Sequence, residues 1–72
     1  MKEKLRTQLE NYKRDNTKSS KEDLVISLNA LNLNDYGPTS NMIEMAREAL
    51  TAENANKVDI VQAVDAVITN LN

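Results

Sequence analysis

The chain contains few of the side chains that catalyse reactions or bind metal ions. It has no His and no Cys, so the most common general base, the thiolate nucleophile and the usual zinc ligands are all missing. Its single Gly leaves no glycine-rich loop that could hold a phosphate group. We therefore expect a protein that is not an enzyme and that has no catalytic residue, no cofactor, no metal ion and no small-molecule substrate.

Two glutamates are the best remaining candidates for chemistry. Glu44 and Glu48 lie four residues apart, on one face of an expected helix, where they could share a proton or a divalent cation. Arg47 lies between them in the sequence, and exposed pairs of opposite charge usually contribute little. We interpret the three residues as a solvated helix face on which Arg47 is the partner of the glutamates.

The loop at 32–37 has some features of a calcium-binding loop. Oxygen-bearing side chains alternate along it, and a glycine occupies the sixth position. The fifth position, however, is Tyr36, and the twelfth, where a calcium loop has a bidentate glutamate, is Ile43, with Glu44 one residue later. The ligand set is incomplete. We expect an ordinary turn in which Asn and Asp side chains bond to the nearby backbone.

Charge is distributed unevenly along the chain. Residues 1–21 carry seven basic and three acidic side chains, whereas residues 22–72 carry two basic and eight acidic ones. Lys2, Arg6 and Lys13 fall on one flank of the first expected helix, where they could follow a phosphate backbone. Acidic residues are interleaved with them, and no side chains suited to base edges accompany them. Binding of nucleic acid through these three residues is thus the alternative function, as a nucleic-acid-associated regulator.

The apolar pattern predicts a single all-α domain over residues 1–72, without strands. Four helices are expected, at about 2–15, 20–32, 40–52 and 56–70, and the one adjacent Gly and Pro pair falls in the loop between the second and third. The first helix has only a thin apolar stripe, formed by Met1, Leu5, Leu9 and Tyr12. Two placements of residues 1–16 therefore stay open, packed along a three-helix bundle or projecting from it.

Side chains suited to helix caps precede each of the last three helices. The expected caps are Ser19 with Glu22 for the second helix, Thr39, Ser40 or Asn41 with Glu44 for the third, and Asn54 or Asn56 for the fourth.

Several helix faces could bind another protein. The second helix has apolar residues on two sides, and its second stripe of Ile26, Ala30 and Leu33 is a candidate interface. Ile60, Val64, Val67 and Leu71 fit heptad spacing and form an alternative seam for a homodimer. The acidic residues could instead face a basic client protein, through Glu44, Glu48, Asp59 and Asp65. The third helix is amphipathic, with Met42, Ile43, Met45, Ala46, Ala49 and Leu50 in one broad apolar arc.

Chain length and composition favour a protein that works with a partner. A 72-residue chain with 22 large apolar residues builds a small core. We expect a non-catalytic interaction module, either a self-associating adaptor or an inhibitor or regulator that docks on a larger protein. No apolar run is long enough to span a membrane, and nothing resembles a signal peptide, so we expect a cytoplasmic protein. The ten Asn residues suggest a bacterial, phage or mobile-element gene, in which case the cytoplasm is that of a bacterium or an infected host.

Overall fold

The computed structural model describes residues 2–15 and 17–71, and every regular element within them is helical. The elements are α1 (Lys2–Asp15), α2 (Lys18–Asn29), a 3-10 helix (Leu33–Asp35), α3 (Thr39–Thr51) and α4 (Lys57–Asn70). The predicted all-α bundle without strands is confirmed for this part of the chain. Met1, which the sequence places on the stripe of the first helix, lies outside the described residues.

The helices pack in a closed ring. Each of α1 and α3 packs against both α2 and α4, whereas within the described residues the backbone of α1 does not approach that of α3 closely, nor does that of α2 approach that of α4. The radius of gyration is 11.0 Å, about the value of a compact domain of this length. Helices α1 and α3 therefore lie diagonally across the bundle, and their outer faces point in different directions.

Helix α1 is a full member of the bundle. Leu5, Leu9 and Tyr12 are spaced to share one face, and all three are buried against the other helices. The hydroxyl of Ser27 on α2 donates a 2.6 Å hydrogen bond to Gln8 Oε1 on α1, and so satisfies a polar group inside the contact. A projecting first helix, one of the two placements that the sequence left open, is thus not what the structure shows.

All four helices contribute to one core. Its buried residues are Leu5, Leu9, Tyr12, Leu24, Leu28, Leu31, Ile43, Ala46, Leu50, Ile60, Val64, Val67, Ile68 and Leu71. The heptad seam of α4 is part of this list, so its four residues pack inside their own chain. The prediction that this seam joins two copies is wrong, because a side chain that is already buried has no apolar surface left to offer.

The N-terminus of α2 is capped two residues earlier than the sequence predicts. Thr17 Oγ1 accepts a 3.1 Å hydrogen bond from the Ser20 amide, and Ser20 Oγ accepts a 3.1 Å bond from the Thr17 amide. This reciprocal pair is a capping box in which Ser20 replaces the usual Glu or Gln. The predicted box of Ser19 and Glu22 is wrong, because Ser19 already lies inside the helix.

Replacing Thr17 with alanine should lower the free energy of unfolding by about 1 kcal/mol, since it removes the side chain that caps α2. In a domain of this size that loss corresponds to a melting temperature lower by roughly 4–8 °C. The matched variant Ser19→Ala should melt within about 2 °C of the wild type. Differential scanning calorimetry of the two variants checks the assignment, and equal melting temperatures would refute it.

The start of α3 is closed by backbone groups. Gly37 has φ +53, a left-handed conformation that favours glycine, and Pro38 follows with φ −60. The amides of Thr39 and Ser40 donate to the carbonyls of Tyr36 and Gly37 at 3.1 and 3.0 Å. These amides would otherwise need a side-chain cap. The predicted capping by Thr39, Ser40 or Asn41 is therefore wrong, whereas Asn56 caps α4 as predicted, with Oδ1 2.8 Å from the Asp59 amide.

Arg47 closes the C-terminus of α2. Its Nε and Nη2 donate to the Leu28 carbonyl at 3.1 and 2.6 Å, and Nη2 also donates to the Leu31 carbonyl at 2.9 Å. The last carbonyls of a helix lack partners within the helix and carry partial negative charge, so a cation is well placed there. The sequence interpretation that Arg47 neutralises Glu44 and Glu48 is wrong, because the guanidinium is directed towards α2.

Lys57 binds the C-terminal end of α1 in the same way as Arg47 binds that of α2. Its Nζ donates a 2.8 Å hydrogen bond to the Lys13 carbonyl in the last turn of α1, and lies 5.7 Å from the centroid of the Tyr12 ring. A lysine over a tyrosine face at this distance makes a cation–π contact. Both basic residues of the acidic segment 22–72 are therefore engaged with the end of another helix.

Candidate protein-binding surfaces

The outer side of α3 exposes two methionines next to two glutamates. Ile43, Ala46 and Leu50 fill the buried side of this helix, and Met42 and Met45 remain 38% and 65% exposed. Glu44 and Glu48 are exposed as well, and at 100° per residue Glu48 lies about 60° from Met45 around the helix, whereas Glu44 lies about 160° from Met42, so the methionines and the glutamates occupy the two halves of one broad outer arc. We call Met42, Glu44, Met45 and Glu48 the α3 face.

No ion pair within residues 2–15 and 17–71 neutralises the charge of the α3 face. Among residues 2–15 and 17–71, the ion pairs are Lys13 with Glu10, at 3.4 Å, and Arg14 with Asp15, at 3.6 Å, both inside α1. Glu44 and Glu48 are in neither pair, and Arg47 between them is bonded to α2. The α3 face thus combines exposed apolar surface with negative charge.

A second surface lies between α1 and α4. An open cleft of about 450 Å³ is lined by Lys13, Lys57, Val58, Val61 and Gln62. Val58 is 62% exposed and Val61 is half-buried, so the cleft has an apolar wall on α4 with two ammonium groups beside it. We call these five residues the α1/α4 cleft. Like the α3 face it is apolar, but its charged side chains are basic, whereas those of the α3 face are acidic.

The predicted interface on α2 is not a continuous apolar stripe. Ile26 is 67% exposed and Ala30 is also exposed, but α2 ends at Asn29, and Leu33 lies in the 3-10 helix, partly buried against the core. Leu33 therefore leaves the surface that the sequence assigned to it. A single exposed apolar residue such as Ile26 is common on protein surfaces.

The four acidic candidates do not form one surface. Glu44 and Glu48 are about 40° apart around α3, whereas Asp59 and Asp65 are about 120° apart around α4. All four are exposed. Asp59 lies in the first turn of α4, where a negative charge is favourable to the helix itself. The structure therefore keeps Glu44 and Glu48 together and separates the two aspartates.

The basic ridge predicted on α1 is interrupted. Arg6 and Lys13 are exposed and Lys2 is half-buried, but Lys13 pairs with Glu10 and also borders the α1/α4 cleft. Within the described chain, no ion pair joins α1 to the acidic residues of α3 or α4. The three residues share a flank without forming an uninterrupted row of positive charge.

Metal-binding geometry is not found in the part of the chain that the structure describes. No group of three or more His, Cys, Asp or Glu side chains there is close enough to hold a metal ion. In the loop that has some calcium-site features, Asn32 Oδ1 accepts a 3.1 Å hydrogen bond from the Asn34 amide. That side chain therefore stabilises the turn, as the sequence suggested.

The sequence predicted Glu44 and Glu48 as binding residues. It placed Met42 and Met45 in the apolar arc of the third helix without predicting their exposure, and it did not predict the α1/α4 cleft. The exposure of the methionines had one signal in the sequence. The apolar arc of α3 covers about half of the helix surface, and Met42 and Met45, towards one edge of it, are the ones that remain exposed. The cleft gave no such signal, because α1 and α4 are far apart in the sequence.

Comparison of the chain with protein-family models, with curated proteins and with solved structures finds no match. In the described residues, none of the helices combines the length and the apolar character that crossing a lipid bilayer requires. The class that the fold defines is a small all-α bundle, and its outer surface carries two exposed apolar regions of opposite charge.

Proposed function

We propose that this protein is a small non-catalytic interaction module that docks on a protein partner through the α3 face. The observation that carries the proposal is the exposure of Met42 and Met45 on the outer arc of α3, which also carries Glu48 next to Met45 and Glu44 at its far edge. In so small a protein, large apolar side chains are valuable to the core. Two that remain on the surface, rimmed by charge, are typical of an interaction site.

The composition of the α3 face indicates what the partner offers. Methionine is flexible and polarisable, so it adapts to an apolar pocket of irregular shape. Full burial of one such side chain contributes roughly 1.5–3 kcal/mol, so Met45, the more exposed of the two, is the main apolar contributor on this face. Glu44 and Glu48 favour a partner whose rim is basic, because complementary charges accelerate association and exclude wrong partners.

Symmetric self-association through this face is unfavourable. In a two-fold dimer the same patch meets itself, so Glu44 and Glu48 of one copy would approach those of the other. Like charges placed together in an interface oppose binding. The partner surface is therefore a different one, apolar and basic, as expected of an inhibitor, a regulator or an adaptor.

Composition supports a role without catalysis. A chain without His and Cys has none of the side chains that most often serve as base, nucleophile or metal ligand near neutral pH. We propose that the protein acts in the cytoplasm, of a bacterium or of a cell infected by a phage, where its function is to bind a surface of a partner polypeptide.

The proposal is tested by quantitative capture with a tagged protein in the cell that produces it. Two variants alter the α3 face: Met42→Ser with Met45→Ser, and Glu44→Gln with Glu48→Gln. The matched control is Asp59→Asn with Asp65→Asn, which removes the same charge from α4. We expect both α3 variants to lower the recovered partner at least about tenfold, a change of about 1.4 kcal/mol, and the control to retain it.

Circular dichroism should show that all three double variants remain helical, since every altered side chain is exposed. Nuclease treatment before capture should leave the recovery unchanged. Equal recovery with the α3 variants and the wild type would overturn the proposal, and loss of recovery after nuclease treatment would favour nucleic acid instead.

A further inference from the structure

The two exposed surfaces of this chain are complementary to one another. The α3 face offers two methionines and two carboxylates, and the α1/α4 cleft offers two valines and two ammonium groups. Apolar surface would meet apolar surface, and negative charge would meet positive charge. Such a match of both hydrophobicity and sign is what a specific contact requires.

The fold prevents the two surfaces from meeting within one molecule. The cleft is on the side of α4 that packs against α1, because Lys13 of α1 is one of its walls. Helix α3 packs on α4 from elsewhere in the ring, and in the described residues its backbone makes no close approach to α1. Its exposed face points outward, away from the core residues Ile43 and Leu50. Contact between the two surfaces needs a second chain.

The cleft retains binding capacity despite its internal contacts. Lys57 uses its ammonium group to donate to the Lys13 carbonyl, but an ammonium has three N–H donors. Lys13 pairs with Glu10 at 3.4 Å in an exposed contact that is readily exchanged for another carboxylate. Val58 is 62% exposed, so most of its side chain is available for contact with a partner.

We propose that the occupant of the α1/α4 cleft is the α3 face of a second copy of this chain, so that copies associate head to tail. This inference rests on the proposed function, in which the α3 face is a docking surface, and it names the partner. A head-to-tail contact that does not close into a ring leaves one α3 face and one cleft open at the two ends of the assembly. Association therefore continues beyond the dimer as concentration rises.

Sedimentation equilibrium with the purified wild type and three variants tests this arrangement. Variant A, Glu44→Lys with Glu48→Lys, reverses the charge of the α3 face and leaves the cleft intact. Variant B, Lys13→Gln with Val58→Glu, alters the cleft and leaves the α3 face intact. Position 58 lies in the first turn of α4, where a glutamate favours the helix, so variant B should fold.

We expect the average mass of the wild type to rise above the 8.1 kDa of one chain as concentration increases, and to rise less at high salt. Variants A and B should each remain at the mass of one chain. Mixed in equal amounts, they should form a dimer of twice that mass and nothing larger, because A supplies only a cleft and B only an α3 face. A control with the same charge change on α2, Glu22→Lys with Asp23→Lys, should associate like the wild type.

A wild type that stays at the mass of one chain at all concentrations would overturn the inference, and so would a mixture of A and B that does not associate. The same experiments distinguish a failure of this inference from a failure of the proposed function. If the wild type is monomeric while the α3 variants lose a captured protein of another sequence, the α3 face still docks on a partner, and only the identification of that partner as a second copy is wrong.

Discussion

Replacing Leu5 with alanine is expected to lower the free energy of unfolding by about 3 kcal/mol, within the range of 2–5 kcal/mol for buried leucines. Leu5 is fully buried where α1 meets the rest of the bundle. A domain of this length has a total stability of only about 4–11 kcal/mol, so the variant should be partly unfolded at temperatures where the wild type is folded. Urea denaturation followed by circular dichroism measures the loss.

The matched control is Ile26→Ala, which removes a similar apolar side chain that is 67% exposed. We expect this variant to change the free energy of unfolding by less than about 0.5 kcal/mol, as is usual for surface positions. If Leu5→Ala were as mild as the control, α1 would be a loosely attached segment, and the packing of four helices around one core would be incorrect.

Replacing Arg47 with alanine is expected to cost about 2–3 kcal/mol. Hydrogen bonds that involve a charged group contribute roughly 1.5–3 kcal/mol, and Arg47 makes three with the Leu28 and Leu31 carbonyls. The variant leaves those carbonyls without their donor at the end of α2 and also removes a favourable charge. Thermal unfolding should show a melting temperature lower by roughly 10–20 °C.

Two further arginine variants make this prediction specific. Arg14→Ala removes an exposed guanidinium that bonds to Asn11 within α1, and should cost less than about 0.5 kcal/mol. Arg47→Lys keeps the charge but cannot reach both carbonyls with a planar fork, so an intermediate loss is expected. A loss for Arg47→Ala no greater than that for Arg14→Ala would mean that Arg47 does not hold α2 and α3 together.

The helices were predictable because their signal is local. Residues that recur with helical spacing, such as Leu5, Leu9 and Tyr12, form one face whatever the rest of the chain does. The helix ends were harder. Thr17 caps α2 although Ser19 has an equally suitable side chain, and the choice depends on which turn of the helix packs best.

The binding surfaces were less predictable because their signal is tertiary. In the sequence Arg47 is adjacent to two glutamates, but its long side chain reaches the end of a different helix. The burial of Val64 and Val67 in their own core likewise depends on how α4 meets α1 and α3. Only the assembled ring of helices decides which apolar residues are covered and which charges remain unopposed.

The fold explains why the acidic residues of α3 have no basic partner within the described residues. The two basic residues of segment 22–72, Arg47 and Lys57, are bonded to the last turns of α2 and α1. The acidic residues of α3 are therefore left to face outward without a basic partner in the described residues. The same side chains that stabilise the fold thereby give the α3 face its negative charge.

The most direct test of the central claim, that the α3 face docks on a protein, is cross-linking in the producing cell with a photoreactive residue in place of Met45. The same residue in place of Ile26 is the control, because these two positions are 65% and 67% exposed. We predict that illumination yields a covalent adduct with another polypeptide at position 45 and none at position 26. An adduct at position 26 and none at position 45 would contradict the claim.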